Sequence, residues 1–261
     1  MSAPLSFILL GDPLEHSRSP QIHRAALEGL SLEGTYEAVT ADGPVLDRTI
    51  DDLRDGAVTG INITMPLKNA AARACDFLTA EAEVPMSVNT LRLRNGDVQG
   101  HSTDVVAARG ILSRPEFDQI APILVLGAGG AAAAMVAATQ GKRPLYVSSR
   151  DPVRGKALIK GSGDAAVVPF GTAVAGAIVI NATPLGMTGQ VLPQGILESC
   201  SGLVDLAYGP GETPAVAKTR NLGVPAVDGI EFLVMQAAAS FEWWTGKVPL
   251  VNSMLDAARK N

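Results

Sequence analysis

The run Ile123-Leu124-Val125-Leu126-Gly127-Ala128-Gly129-Gly130-Ala131-Ala132 narrows the choice of fold more than any other stretch of this chain. Four apolar residues feed a glycine-rich turn, and an alanine-rich segment follows. A strand, a phosphate-cradling loop and a helix N-terminus come in this order where a dinucleotide pyrophosphate is held. Gly127, Gly129 and Ala132 fit the spacing G-x-G-x-x-A. The first glycine allows a tight turn, the second lets backbone approach phosphate, and the small third residue lets helix and strand pack closely. The alternative is a plain tight turn in a doubly wound sheet. The motif starts after more than a hundred residues, so something the size of a domain precedes it.

The end of the next strand, about twenty residues on, decides which dinucleotide fits. An Asp or Glu there binds the ribose 2′-hydroxyl of NAD. This chain instead reads Ser148-Ser149-Arg150-Asp151-Pro152-Val153-Arg154. Arg150 and Arg154 are four apart, a spacing that one helical turn would aim at a 2′-phosphate. Asp151 either repels that phosphate or caps a helix starting at Pro152. The reading adopted is capping, with NADP favoured over NAD. The alternative for both arginines is an ordinary solvated helix face.

A length of 261 residues favours two modest domains. Apolar residues make up 47% of the chain but aromatic ones only 4%, so the core must be aliphatic, as in parallel sheets. The net charge is −5, with no Lys/Arg cluster, which argues against nucleic acid or an anionic membrane as partner. Cys75 and Cys200 form no paired motif, and His16, His23 and His101 lack zinc-ligand spacing. Neither a disulfide framework nor a metal site is therefore expected. The apolar run at residues 7–10 is too short for a signal peptide, and no run reaches the roughly 20 residues that span a bilayer. The expected location is cytoplasmic. No coiled-coil heptad appears, and both monomer and homodimer stay open.

Upstream of the glycine motif, strands are expected at residues 5–10, 35–39 and 58–63. Helices are expected from Pro20, capped by Ser19, and over 45–53 and 67–77. A hairpin over 87–93 and 97–101 turns at Asn95-Gly96. Downstream, strands fall at 123–126, 145–148, 177–180, 203–205 and 224–227, separated by helical or mixed segments, which implies parallel pairing. Ile230, Leu233, Val234, Ala237, Phe241 and Trp244 recur at helical spacing, and Pro249 opens a last helix.

Polar clusters follow the upstream strands. Ser17 and Ser19 suit either a carboxylate or helix capping. Lys68 lies near a helix N-terminus, where the dipole disfavours a cation. That placement suits an acid or base, although an ordinary surface lysine reads the same way. Asn89 and Asp104 close the upstream part, and an Asp beside a Lys would hold it or share its proton.

Taken together, these clusters resemble the shikimate dehydrogenase family, nearly end to end. Eight motifs stand in the family's order. Gly11-x-Pro13 with His16-Ser17-x-Ser19-Pro20 comes first, then Asn62-Ile63-Thr64-x-Pro66-x-Lys68, Asn89-Thr90 and Thr103-Asp104. Gly127-Ala128-Gly129-Gly130-Ala131 and Asn181-Ala182-Thr183-Pro184-Leu185-Gly186-Met187 follow. Asp205-Leu206-Ala207-Tyr208 with Pro210 and Thr213-Pro214 is next, and Leu233-Val234-Met235-Gln236-Ala237-Ala238 is last.

The resemblance implies an N-terminal α/β substrate domain plus a Rossmann-type doubly wound parallel sheet, with the active site in the interdomain cleft. Residues 1–104 would form the substrate-binding catalytic domain, with residues 229–261 packing back on it, and 105–228 the NADP-binding domain. The implied reaction is the NADP-dependent interconversion of 3-dehydroshikimate and shikimate, in aromatic amino acid biosynthesis. Lys68 and Asp104 would be the acid–base pair. Ser17 and Ser19 would bind the substrate carboxylate, Thr64, Asn89 and Gln236 the ring hydroxyls, and Tyr208 would help close the site. Gly127, Ala128, Gly129, Gly130, Ala131, Ser149, Arg150, Arg154, Thr183, Met187 and Gly229 would hold the cofactor.

Three positions depart from the family pattern. Ser149-Arg150-Asp151 stands for Asn-Arg-Thr, Ser102 for Asn, and Phe232 for Met. A quinate or aminoshikimate-type relative would share every motif. A non-catalytic regulatory protein would have no need of Lys68 with Asp104.

Overall fold

A computed structural model describes residues 4–141 and 143–260. The chain divides into two compact units, the described residues of Met1–Val106 with Leu233–Asn261, and Ala107–Phe232. Sequence reading put the breaks at 104/105 and 228/229.

The first unit runs β1 (Leu5–Gly11), α1 (Ser19–Gly29), β2 (Gly34–Thr40), α2 (Gly43–Arg54), β3 (Gly60–Ile63), α3 (Lys68–Ala74), β4 (Phe77–Leu78), α4 (Ala80–Glu83), β5 (Thr90–Arg94) and β6 (Asp97–His101). Helix α5 (Thr103–Leu112) leads into the second unit. The sheet order is β2-β1-β3-β5-β6-β4, parallel from β2 to β3 and antiparallel across β3, β5 and β6. Asp42 caps α2 by accepting from the Val45 amide at 3.0 Å. The helix buries Leu46, Ile50 and Leu53 against Leu10, Ile61, Ile63, Leu91 and Val98. Each such aliphatic side chain contributes roughly 1.5–3 kcal/mol on full burial. The hairpin turns where expected, with Asn95 and Gly96 at φ +56° and +87°, the pair of positive angles that a type I′ turn requires.

The second unit runs β7 (Ile123–Leu126), α6 (Gly130–Thr139), β8 (Leu145–Ser149), α7 (Pro152–Leu158), β9 (Ala165–Pro169), β10 (Ile178–Asn181), β11 (Gly202–Asp205), α8 (Pro214–Asn221) and β12 (Ala226–Val227). Helix α9 (Gly229–Thr245) starts in this unit and ends in the first, where α10 (Val251–Arg259) completes the chain. All pairings are parallel, in the order β12-β11-β10-β7-β8-β9. Counted from β9, this is the doubly wound 3-2-1-4-5-6 arrangement, with its switch point beside β7. Strands β7, β10 and β11 are buried at every position, so they read as short apolar runs without alternation.

Several elements differ from expectation. Ser19 is the first residue of α1, not its cap, and no side chain caps that helix. The expected helix over 67–77 is the shorter α3, and β4 and α4 follow it. Pro66 lies in the turn before α3. Strand β9 was not foreseen, because an edge strand ending in Pro carries a weak signal. The strand expected at 224–227 is only Ala226–Val227, and α10 opens at Val251, two residues after Pro249. No described helix is long and apolar enough to cross a membrane.

Candidate functional site

In the first unit the parallel strands β1 and β3 end side by side. The Asp12 amide donates to Met65 O at 2.9 Å, and the Thr64 amide to Leu10 O at 2.8 Å. A Cβ on Gly11 would overlap Thr64 Cγ2, so only glycine lets the two loops approach this closely. The loop after β1 carries Ser17, half-buried, and Ser19, buried. Ser17 Oγ accepts from the Ser19 amide at 3.4 Å. Arg18 Nη1 donates to Ala258 O at 2.5 Å and Gln21 Nε2 to Ala257 O at 3.1 Å, so the carbonyl end of α10 anchors this loop.

The loop after β3 carries half-buried Thr64 and delivers Lys68 as the first residue of α3. Lys68 Nζ lies 2.7 Å from Asp104 Oδ2, with side chains only 16% and 9% exposed. Asp104 sits in the first turn of α5, where the helix dipole favours a carboxylate. Sequence alone did not bring these two groups together. The hairpin does so, because β6 ends at His101, opposite Thr90, and hands the chain directly to α5.

Asn89 is buried beside this pair. Its Oδ1 accepts from the Thr103 amide at 2.8 Å, and its Nδ2 donates to Thr103 Oγ1 at 2.9 Å and to Gln236 Oε1 at 3.2 Å. Gln236, on α9, donates through Nε2 to Leu233 O at 2.8 Å. Behind them lies a polar layer whose members sequence reading had given no role. Tyr36 donates to Asn62 Oδ1 at 2.8 Å. The two protons of Asn62 Nδ2 are shared among Asn89 O, Thr90 Oγ1 and Ser240 Oγ, at 3.0–3.1 Å. Ser240 had one detectable signal, a polar residue four positions after Gln236 in an otherwise apolar helix stripe.

In the second unit Gly127 has φ +112°, and a Cβ there would lie 2.9 Å from Ala182 O. Gly129 occupies the N-cap of α6 and borders open space, while Ala128, Gly130 and Ala131 are half-buried around it. This is a cradle that side chains would fill, opening onto the N-terminus of a ten-residue helix, and it fits a pyrophosphate.

Asp151 caps α7, accepting from the Val153 and Arg154 amides at 3.0 and 3.1 Å. Ser149 Oγ accepts from the Asp151 amide at 3.1 Å and donates to Asp151 O at 2.9 Å. Arg150 precedes α7 because Asp151 is extended, so the two arginines do not share one helical turn as their spacing suggested. Both are exposed. Arg154 Nε lies 3.4 Å from Asp151 Oδ2, and the Arg150 guanidinium is 5.9 Å from the Phe170 ring centre.

The loops after β10 and β11 are joined through Asp205. It accepts from Asn181 Nδ2 at 2.8 Å, Thr213 Oγ1 at 2.6 Å and the Ala207 amide at 3.0 Å. Burial pushes the Asp205 carboxyl up from its ordinary pKa, and these donors oppose the shift. Asn181 Oδ1 in turn accepts from the Thr183 hydroxyl and amide. Met187 is exposed, Tyr208 is half-buried, and a Cβ on Gly229 would overlap Ala207 O. Among the described residues no group of three His, Cys, Asp or Glu side chains could hold a metal ion.

Comparison with known proteins adds to this geometry. Residues 9–91 match the shikimate dehydrogenase substrate binding domain, and residues 229–259 the shikimate 5′-dehydrogenase C-terminal domain. The chain is 35% identical over 260 residues to a shikimate dehydrogenase (NADP(+)) of Thermus thermophilus, covering 98% of each. The chain belongs to the shikimate dehydrogenase family. A second family member, the shikimate dehydrogenase (NADP(+)) of Pyrococcus abyssi, is 33% identical over 94% of each chain. Among solved shikimate dehydrogenases, the shikimate 5-dehydrogenase of another Thermus thermophilus strain was crystallised with NADP(H) and shikimate. It superimposes with a TM-score of 0.87 at 34% identity, covering 98% of each chain.

Proposed function

We propose that this chain interconverts 3-dehydroshikimate and shikimate, with NADP as its cofactor. The observation that carries the reading is the Lys68–Asp104 pair, a nearly buried cation and carboxylate at 2.7 Å beside the amides of Asn89 and Gln236. Bound NADPH supplies the hydride that reduces the ketone carbon. Negative charge then develops on the ketone oxygen. Lys68 Nζ has three donors, and Asp104 takes one, which leaves two to stabilise the charge on that oxygen and protonate it. In the reverse direction Lys68 takes the hydroxyl proton while Asp104 keeps the amine oriented.

Ser17 and Ser19 hold the substrate carboxylate through their hydroxyls, and Thr64, Asn89 and Gln236 the ring hydroxyls. Tyr208 closes the substrate site. In the second unit the Gly127–Ala131 loop holds the pyrophosphate. Ser149, Arg150 and Arg154 would bind the 2′-phosphate, and Thr183, Met187 and Gly229 would line the nicotinamide. The unit of Met1–Val106 with Leu233–Asn261 is thus the substrate-binding catalytic domain and Ala107–Phe232 the NADP-binding domain.

Purified protein mixed with shikimate and NADP⁺ should produce reduced nicotinamide, followed by absorbance, and less with NAD⁺. Lys68→Ala should lower kcat by roughly 10²–10⁴. Absence of turnover with either cofactor would overturn the assignment. Equal turnover with NAD⁺ would overturn the role of Arg150 and Arg154.

A further inference from the structure

We propose that Ser240 is a positioning residue that sets the hydrogen-bonding state of Asn89 and Gln236, and thereby affinity for the hydroxylated ring of the substrate. The inference rests on the substrate reading above. The Ser240 side chain is fully buried. Its hydroxyl lies 3.1 Å from Asn62 Nδ2, 2.8 Å from Thr90 Oγ1 and 3.0 Å from Thr103 Oγ1, and donates to Gln236 O at 3.1 Å. One atom thus touches β3, β5, the start of α5 and its own helix, which adjoin or carry Thr64, Asn89, Asp104 and Gln236.

Donor and acceptor counting gives this contact a consequence. A hydroxyl has one proton and two lone pairs. With its proton on Gln236 O, Ser240 accepts from Asn62 and from one of the two threonines. The other threonine must send its proton elsewhere. Thr90 reaches Asn89 Oδ1 at 3.2 Å and Thr103 Oγ1 only at the longer 3.5 Å, and Thr103 reaches Asn89 Oδ1 at 3.2 Å and Gln236 Oε1 at 3.4 Å. Ser240 therefore absorbs one of two protons that would otherwise both fall on the carboxamide oxygens meant for ring hydroxyls. Without the serine hydroxyl, both threonines donate to Asn89 and Gln236 and compete with the substrate.

The test is steady-state kinetics of Ser240→Ala, with Ser240→Cys as the conservative variant and thermal melts to verify folding. KM for shikimate should rise about tenfold, the worth of one hydrogen bond, while KM for NADP⁺ stays within about twofold. Ser240→Cys should fall between. Added to Gln236→Ala, Ser240→Ala should raise KM for shikimate by a clearly smaller factor than it does in wild type, because part of its effect runs through Gln236 Oε1. A proportional change in both KM values, an unchanged shikimate KM, or effects that multiply would each overturn the proposal. If wild-type protein does not turn over shikimate, the reading of the reaction fails. The positioning claim is then decided by the side-chain amide NMR signals of Asn89 and Gln236, which must shift in Ser240→Ala and would refute it by staying put.

Discussion

His23 makes the stability of this chain depend on mild acid. Its ring is fully buried in α1, stacked on Tyr36 at 4.2 Å between centroids and 4° between planes, and neither nitrogen has a hydrogen-bond partner among the described residues. Desolvation lowers its pKa from 6.5 to about 3. Between those values the unfolded chain holds a proton that the folded chain refuses, so stability falls as pH falls from 6.5 towards 3. At about 1.36 kcal/mol per unit, the 1.5 units between 6.5 and pH 5 cost about 2 kcal/mol. His23→Phe keeps an aromatic ring in the stack, cannot titrate and removes two unsatisfied nitrogens, so at pH 7 it should stay within about 1 kcal/mol of wild type. Urea unfolding of both proteins at pH 7, 6 and 5 isolates the effect, since every other group is common to the two. Wild type should lose about 2 kcal/mol more than His23→Phe between pH 7 and 5. Parallel curves would refute the argument and show that water or a local opening reaches the ring. Because Tyr36 donates to Asn62, the same acidification should also loosen the polar layer behind Asn89.

Two further outcomes follow from the loops. Arg18→Ala removes a charge-assisted bond to the end of α10, one of two that anchor the Ser17–Ser19 loop, and leaves the Gln21 bond in place. KM for shikimate should rise roughly three- to tenfold with kcat little changed, and an equal loss in kcat would contradict a purely anchoring role. Asp205→Asn replaces a carboxylate that serves three donors with a group that accepts through one oxygen only. It should cost about 1–3 kcal/mol, seen as a Tm several degrees lower, and weaken NADPH binding measured by fluorescence while leaving KM for shikimate unchanged.

The Gly127–Ala131 turn was legible because its requirements are local. A positive φ, a close carbonyl and a helix N-terminus all fall within a few residues. The Asn95-Gly96 hairpin and the Asp151 cap were legible for the same reason. Ser19 misled, because a Ser before a Pro reads as a cap even when the helix starts one residue earlier. Arg150 and Arg154 misled because spacing of four implies a shared face only inside a helix, and α7 begins between them. Strand β9, at the sheet edge and alternating weakly, had little burial pattern to betray it.

By itself, the sequence determined what depends on neighbours along the chain: the order of strands and helices, the glycine cradle and the residue types that carry acid–base chemistry. The meeting of Lys68 with Asp104, 36 residues away, was decided by the hairpin. The gathering of Asn62, Thr90, Thr103 and Ser240 on one another, across separations of up to 178 residues, needed α9 as well, brought against β3 and β5. Burial then turned these ordinary polar side chains into a network in which every proton must be assigned, because a donor left unpaired away from water costs more than any single bond returns.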